Sequence, residues 1–380
     1  MIGAAHLMMR AAGVSQPKGL FAWGYNSYGQ LGLGDRTHRS SPVQVGALTT
    51  WSKIVGTVDW SLGLVTAFGV KSDGTLWGWG DNSGGILTGF AGNRSSPVQI
   101  GSATNWKDAG GGPSYGYDGT FGAAIGAIKT TGTLWTWGCN VNNQLGLGGG
   151  VGSVVTSPTQ VGSDTNWDKV MIGDSGYAIK TTGTLWAWGD NGLGQLGLND
   201  RTSRSSPVQV GSASGWADVH YGSSNVVALK TDGTLWAWGS NTYGQLGLGD
   251  RTHRSSPTQV GTDTNWSKIA FGQYDRTGWL AVRSDGTLWA CGVANSGGTY
   301  SSPVQVGAAT NWSAVACGLY HSLALNTNGA LWAWGKNNYG QLGLADRTDR
   351  SSPTQVGAGT NWSKLPEHSA HWDESYGIRS

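Results

Sequence analysis

The sequence predicts an all-β fold, a seven-bladed β-propeller of four-stranded blades whose ring is closed by an N-terminal strand joining C-terminal strands. Three observations carry this. The 380 residues hold 65 glycines and 22 tryptophans, a Leu-Trp-x-Trp-Gly motif returns seven times about fifty residues apart, and the last unit lacks the strand with which the chain begins.

Glycine supplies the positive φ angles of tight turns and tryptophan favours pleated surfaces, so many short strands are expected. The charged fraction of 12% is about half of the usual ~25%. A solvated disordered chain would carry more charge and fewer aromatics, and collagen would need glycine at every third position. A net charge of +2 gives no strong pull toward nucleic acid or an anionic membrane.

The motif stands at Leu76 to Gly80, Leu134 to Gly138, Leu185 to Gly189, Leu235 to Gly239 and Leu331 to Gly335, with variants at Leu20 to Gly24 and Leu288 to Gly292. Each copy is followed by Asn-x-x-Gly-Gln-Leu-Gly-Leu, then Asp-Arg-Thr-x-Arg-Ser-Ser-Pro-x-Gln-Val-Gly, then Asn-Trp-Ser-Lys-Ile, with local variations. Within one unit, Thr258 to Val260, Trp266 to Ala270, Trp279 to Arg283 and Leu288 to Cys291 read as four strands between Gly, Asn, Asp and Ser-Pro turn signals. Four strands in each of seven units is propeller arithmetic. Trp362 to Ser380 aligns without a gap on Trp266 to Ser284. The strand then missing is Leu20 to Gly24, so Ser380 is expected beside Pro17. Residues 17–380 form the propeller, and residues 1–16, which match no repeat, form a separate arm.

Nineteen of the tryptophans are repeat-borne, twelve in the motif strands and seven at Trp51, Trp106, Trp167, Trp216, Trp266, Trp312 and Trp362. Alternate residues of a strand share a face, so Trp236 and Trp238 project together, away from Leu235 and Ala237. Burial of ~150–250 Å² per ring at ~25 cal/mol/Å² sets an upper bound of roughly 4–6 kcal/mol each, which assigns these side chains to the packing between blades. Trp60, Trp279 and Trp372 fall outside both repeat positions and are candidates for exposed contact, Trp60 and Trp279 with a partner, beside a packing role.

The Asp-Arg-Thr-x-Arg loops place Arg36 and Arg39, Arg201 and Arg204, Arg251 and Arg254, and Arg347 and Arg350 at equivalent positions. Two readings stand: each guanidinium forks onto Asp or backbone carbonyls of the neighbouring blade, or together they form a broken cationic ring for an anionic partner. The gaps in that ring are Asp81 to Arg94, Gly148 to Thr156 and Val293 to Tyr300. Unit-specific loops are where partner specificity usually sits, so the insertion Gly110 to Gly122, with Tyr115 and Tyr117, is a further candidate edge.

No catalytic constellation emerges. Glutamate occurs only at Glu367 and Glu374, and there is no nucleophile elbow, P-loop or His-Glu-x-x-His. The Glu367 to Glu374 stretch clusters His and acids without an identifiable third metal ligand. His38 and His253 are equivalent loop positions. Cys139, Cys291 and Cys317 are widely spaced and read as small buried hydrophobes. The apolar stretch Ile2 to Met9 has no basic residue before it and is too short to span a membrane, so neither a signal peptide nor a span is expected. Neither a catalytic residue nor a cofactor or metal is expected.

The run Trp238 to Gly249, with Val315 to Leu325, resembles the repeat of the regulator of chromosome condensation family, and the resemblance covers residues 17–380. It implies a seven-bladed propeller. The Asn-Trp-Ser-Lys and Thr-Leu-Trp-Ala-Trp-Gly variants resemble the bacterial and phage-borne branch. The family's eukaryotic founder is a guanine-nucleotide exchange factor that also docks on chromatin; this chain lacks a basic tail, and only one repeat keeps the His-Ser pair, His321-Ser322. Bacterial relatives include a secreted propeller that inhibits β-lactamases. The expectation is therefore a non-enzymatic propeller that binds a protein partner or builds an assembly such as a virion, filament or cell-surface complex, with the arm as its attachment. A soluble inhibitor, a receptor, an anion- or glycan-binding propeller and an exchange factor are the alternatives.

Overall fold

The computed structural model describes residues 18–59, 64–114, 122–149, 153–272, 278–293, 299–366 and 373–380, and every regular element among them is a β-strand. Strands β1 (Gly19–Gly24) and β2 (Arg39–Gln44) come first. The first blade is β3 (Trp51–Asp59), β4 (Leu64–Lys71), β5 (Leu76–Gly80) and β6 (Arg94–Gln99). The second is β7 (Trp106–Gly111), β9 (Ala124–Lys129), β10 (Leu134–Cys139) and β11 (Val154–Gln160), with the two-residue β8 (Pro113–Ser114) between β7 and β9. The third is β12 (Trp167–Ile172), β13 (Ser175–Lys180), β14 (Leu185–Gly189) and β15 (Arg204–Gln209). The fourth is β16 (Trp216–Tyr221), β17 (Asn225–Lys230), β18 (Leu235–Gly239) and β19 (Arg254–Gln259). The fifth is β20 (Trp266–Phe271), β21 (Trp279–Arg283), β22 (Leu288–Val293) and β23 (Thr299–Gln305), and the sixth β24 (Trp312–Cys317), β25 (His321–Asn326), β26 (Leu331–Gly335) and β27 (Arg350–Gln355). Finally β28 (Trp362–Lys364) and β29 (Glu374–Arg379) meet β1 and β2 in the order β2-β1-β29-β28.

The chain thus forms a seven-bladed propeller closed by its two ends. Gly19 pairs with Arg379 and Gly24 with Glu374 along an unbroken antiparallel ladder. Pro17 lies outside the described residues. The repeat as read from sequence straddles two blades, because the Ser-Ser-Pro strand pairs with the Leu-Trp-x-Trp-Gly strand before it: Trp236 faces Gln259. Two N-terminal strands, not one, therefore enter the closing blade.

First strands of successive blades touch, β3 with β7, β7 with β12, β12 with β16, β16 with β20 and β20 with β24, which puts them around the axis. Fourth strands form the half-exposed rim. Because strands alternate in direction, the Arg-bearing loops and the first-to-second-strand connections share one face, here the loop face. The Asp-Gly hairpins lie on the opposite, hairpin face. Part of the second-blade insertion crosses to the first blade, where β8 pairs parallel with β3 and makes that sheet five-stranded.

The inter-blade packing follows the predicted alternation. Trp238 is fully buried against Leu185, Ala187, Leu196 and Val210 of the third blade, while Leu235 and Ala237 face the fifth. The glycine after it, Gly239, has φ +96° on a bulge, and a Cβ there would lie 2.4 Å from the Ser224 carbonyl oxygen. The Gly-Gln-Leu-Gly turn supplies an acceptor: the Trp238 indole donates to the Gln195 carbonyl at 2.8 Å. Trp23, Trp79 and Trp188 do the same to Gln341, Gln30 and Gln144, and Trp137 to Ile86.

The first tryptophan of each motif is only half-buried. On the hairpin face of the first five blades it and the Asn-Trp tryptophan hold a cation between them, where the sixth has Asn326: Lys230 lies 4.8 Å from Trp216 and 4.4 Å from Trp236, and Arg283 lies 4.4 Å from Trp266 and 3.8 Å from Trp289. The turn orients the indole, since Trp236 donates to the Thr234 hydroxyl, which donates to Asp232.

Candidate interaction face

Trp279 is not a surface contact. It is 1% exposed and occupies in the fifth blade the place that Trp238 occupies in the fourth. Its neighbours Leu235, Ala237, Leu246 and Val260 are the fourth-blade equivalents of those around Trp238. The reason is cross-strand: Cys291 stands where the motif has its second Trp and pairs directly with Trp279, whereas elsewhere the pair is Ala67 with Trp79 or Gly176 with Trp188. Bulk has moved one strand sideways. Burial pushes the Cys291 and Cys317 thiols up to about 12, and the three cysteines are buried and form no disulfide among the described residues.

The Asp-Arg-Thr-x-Arg loops are organised by the asparagine that follows Trp-Gly. Asn26 Nδ2 donates to the Asp35 carbonyl, the Asp35 carboxylate and the Thr37 carbonyl, and its Oδ1 accepts the Leu31 N–H at 2.9 Å. Asn191, Asn241 and Asn337 repeat this pattern. The variable residue of the motif accepts the asparagine N–H, as His38 Nδ1, Ser203 Oγ, His253 Nδ1 and Asp349 Oδ1.

The eight arginines divide by position. Arg39, Arg204, Arg254 and Arg350 pair with the aspartate four residues earlier in their own loop, at 2.5–2.6 Å, and not with a neighbouring blade. In those aspartates the backbone N–H two residues on, together with the guanidinium, holds the carboxyl below its ordinary range. Arg36, Arg201, Arg251 and Arg347 are exposed and make no ion pair or hydrogen bond among the described residues. They lie in the closing, third, fourth and sixth blades, and therefore form two adjacent-blade pairs rather than an evenly broken ring. Contacts between blades come from backbone instead: Gly34, Asn199, Gly249 and Ala345 donate to the carbonyls of Ser95, Ser255, Ser301 and Ser40 in the next blade.

One of the pairs is flanked by half-buried rings. Tyr25 stacks on His38 at 4.9 Å, and Tyr339 of the sixth blade meets Tyr25 edge-on at 4.9 Å and His38 at 5.3 Å. Tyr28 packs on Tyr25. Burial, then the nearby Arg347 charge, make His38 less basic than ordinary histidine, consistent with the lone pair it offers Asn26. Sequence reasoning missed this cluster. The signal was Tyr25, where other units carry Asp81, Asp190, Ser240 or Lys336.

Trp60, Tyr115 and Tyr117 lie outside the described residues, as do residues 1–17 and 367–372. The described ends of the second-blade insertion are tied to their surroundings: Ser114 donates to Asp174 at 2.9 Å, and the Gly122 N–H to Asp59 at 2.8 Å. Among the described residues no group of three or more His, Cys, Asp or Glu could hold a metal, and no helix is long and apolar enough to cross a membrane.

The regulator of chromosome condensation (RCC1) repeat matches residues 19–58, 131–176, 182–229, 232–274 and 328–365. The ultraviolet-B receptor UVR8 of Arabidopsis thaliana is 32% identical over 197 residues, 51% of this chain and 42% of that protein. The mitochondrial RCC1 domain-containing protein RUG3 of the same plant is 28% identical over 200 residues, 50% of this chain and 42% of that protein. This chain therefore spans less than half the length of either. Among solved structures, human WBSCR16 superposes with a TM-score of 0.80 at 18% identity, covering 96% of this chain and 99% of that one. Prp20p of Saccharomyces cerevisiae does so with a TM-score of 0.73 at 19% identity, covering 96% and 92%. At those identities the likeness speaks for the fold. With the repeat matched over more than half of its length and folded into seven blades, this chain belongs to the regulator of chromosome condensation repeat family.

Proposed function

We propose that the chain is a non-catalytic docking module that receives an acidic protein partner on its loop face. The observation that carries this is the set of four exposed arginines, Arg36, Arg201, Arg251 and Arg347, left uncompensated while their loop-mates are neutralised. An unpaired guanidinium keeps its donor fork for a carboxylate, and half-buried tyrosines beside one pair supply amphipathic contact area. Family members engage proteins: Prp20p has described binding properties to Gsp1p and histones, and Kap60 has been seen bound to it.

The test is a comparison of the proteins retained by the wild-type chain and by the Arg36→Glu, Arg201→Glu, Arg251→Glu, Arg347→Glu variant at low and high salt. Salt-sensitive retention lost in the variant is the expected result; an identical set retained by both overturns the reading. The exchange-factor alternative rests on the family resemblance alone. A nucleotide-release assay with a Gsp1-type GTPase is expected to show no acceleration. The virion, filament or cell-surface setting is carried by none of the relatives reported above, and the arm that motivated it lies outside the described residues.

A further inference from the structure

The residue two positions after each Asn-Trp tryptophan, or its equivalent, lies on a first strand beside the axis. Around the ring these residues are Lys53, Asp108, Lys169, Asp218, Lys268, Ala314 and Lys364. Charge alternates over the first four, and it is satisfied: Lys53 pairs with Asp108, and Lys169 with Asp218 at 3.1 Å. The alternation stops at Ala314. Among the described residues no carboxylate stands at this level between Lys268 and Lys364; both are exposed. Lys268 makes no ion pair or hydrogen bond among the described residues, and Lys364 donates only to the Ser52 carbonyl, at 3.0 Å. A cavity of about 700 Å³ opens on this side of the axis, lined by Lys169, Asp218, His220, Lys268, Asn326 and Lys364 among others.

We infer that this axial cavity binds a small phosphate-class dianion, either inorganic phosphate or a small phosphate ester. With Lys169 neutralised by Asp218, to which His220 also bonds at 3.4 Å, the two remaining ammonium groups match two negative charges. Asn326 adds a neutral donor, because its Oδ1 is already taken by the Ala330 N–H at 2.8 Å, leaving the amide N–H₂ for the cavity. The small Ala314 side chain provides room where alternation would place a carboxylate. The site is separate from the loop-face arginines, so it stands or falls independently of the docking reading.

Titration calorimetry with inorganic phosphate and with glycerol 2-phosphate, against chloride at matched ionic strength, tests the inference and tells free phosphate from ester. Binding by the wild-type chain is expected to weaken about tenfold or more in Lys268→Gln with Lys364→Gln. It is expected to vanish in Ala314→Asp, which completes the alternation without removing a cation. Melting curves show that each variant is folded, and if Ala314→Asp is not, the lysine pair decides. No phosphate-specific heat for either ligand overturns the inference. So does binding unchanged in the lysine variant, or lost only in the four-arginine variant, which would place the anion on the loop face.

Discussion

Exchanging Trp279 and Cys291 between their strands puts the packing argument at its most exposed point. Trp279→Ala empties a site that is 1% exposed, and truncations of this size in a packed core cost about 3–5 kcal/mol. The indole N–H has no acceptor among the described residues, so the loss is one of contact area and cavity, not of a hydrogen bond. Cys291→Trp alone forces a second indole into space where a Cβ on Gly247 would already lie 2.9 Å from Trp279 and 3.1 Å from Cys291. Overpacking of that kind costs at least about 1–3 kcal/mol. Together the two changes recreate the Ala67 and Trp79 pair of the first blade, and they aim an indole N–H at the turn that accepts it elsewhere. The double variant is therefore expected within about 1–2 kcal/mol of wild type, a coupling of roughly 2–7 kcal/mol that reaches beyond the ~0.5–3 kcal/mol usual for touching residues. Urea unfolding followed by far-ultraviolet circular dichroism gives all four corners of the cycle. A double variant as unstable as the sum of the singles would refute the sideways exchange of bulk.

Further predictions follow from the same geometry. Burial of the thiols, with Cys291 and Cys317 at about 12, predicts no alkylation by iodoacetamide at neutral pH until denaturant is added, read by mass spectrometry; modification of the native chain counts against it. Asp35, Asp200, Asp250 and Asp346 have lowered folded-state pKa values. Their contribution is complete above the unfolded carboxylate value and is lost as pH falls through the lower folded one, so thermal stability should decline below about pH 4. In Asp250→Asn, with the Arg254 pair removed, that decline should be shallower. Asn241→Ala leaves the Leu246 N–H and the Asp250 loop without their partner and is expected to cost about 1–3 kcal/mol in a melting experiment, against little for Asn338→Ala on the exposed surface. Lys230→Met removes a cation from between Trp216 and Trp236 and should cost about 0.5–2 kcal/mol.

The ring, its seven-fold count and the closure were legible because each rests on a repeat that local chemistry imposes, tryptophans two apart and glycine where a bulge demands positive φ. Strand phase was harder to see. The Ser-Ser-Pro strand lies nearer in sequence to the next Asn-Trp strand than to its true partner, which is reached through a long loop. The Asp and Arg of each loop were legible as neighbours in sequence, yet only the folded loop separated the compensated arginines from the exposed ones. Trp279 and Cys291 were each visible as departures from the pattern; their cross-strand register made them one event. The Tyr25, His38 and Tyr339 cluster depends on positions more than three hundred residues apart meeting across the ring, which no local pattern encodes, and the axial charges pair only because one repeat position of adjacent blades converges beside the axis.

The indole bond that Cys291 cannot make has a mechanical consequence. The seam between the third and fourth blades is bolted twice, by Trp238 to Gln195 and by Asn199 to Ser255. The seams on either side of the closing blade are bolted in the same way, by Trp23 to Gln341 with Ala345 to Ser40, and by Trp79 to Gln30 with Gly34 to Ser95. Between the fourth and fifth blades the backbone bond of Gly249 to Ser301 remains, and only a weak thiol contact from Cys291 to Gly244, at 3.6 Å, takes the place of the indole. A closed ring shares strain among all its joints, and the most compliant joint takes the largest share. The fourth–fifth seam, next to the one that lies opposite the chain ends, thus gives more readily than these three, set by one sulfur where its neighbours carry a ring.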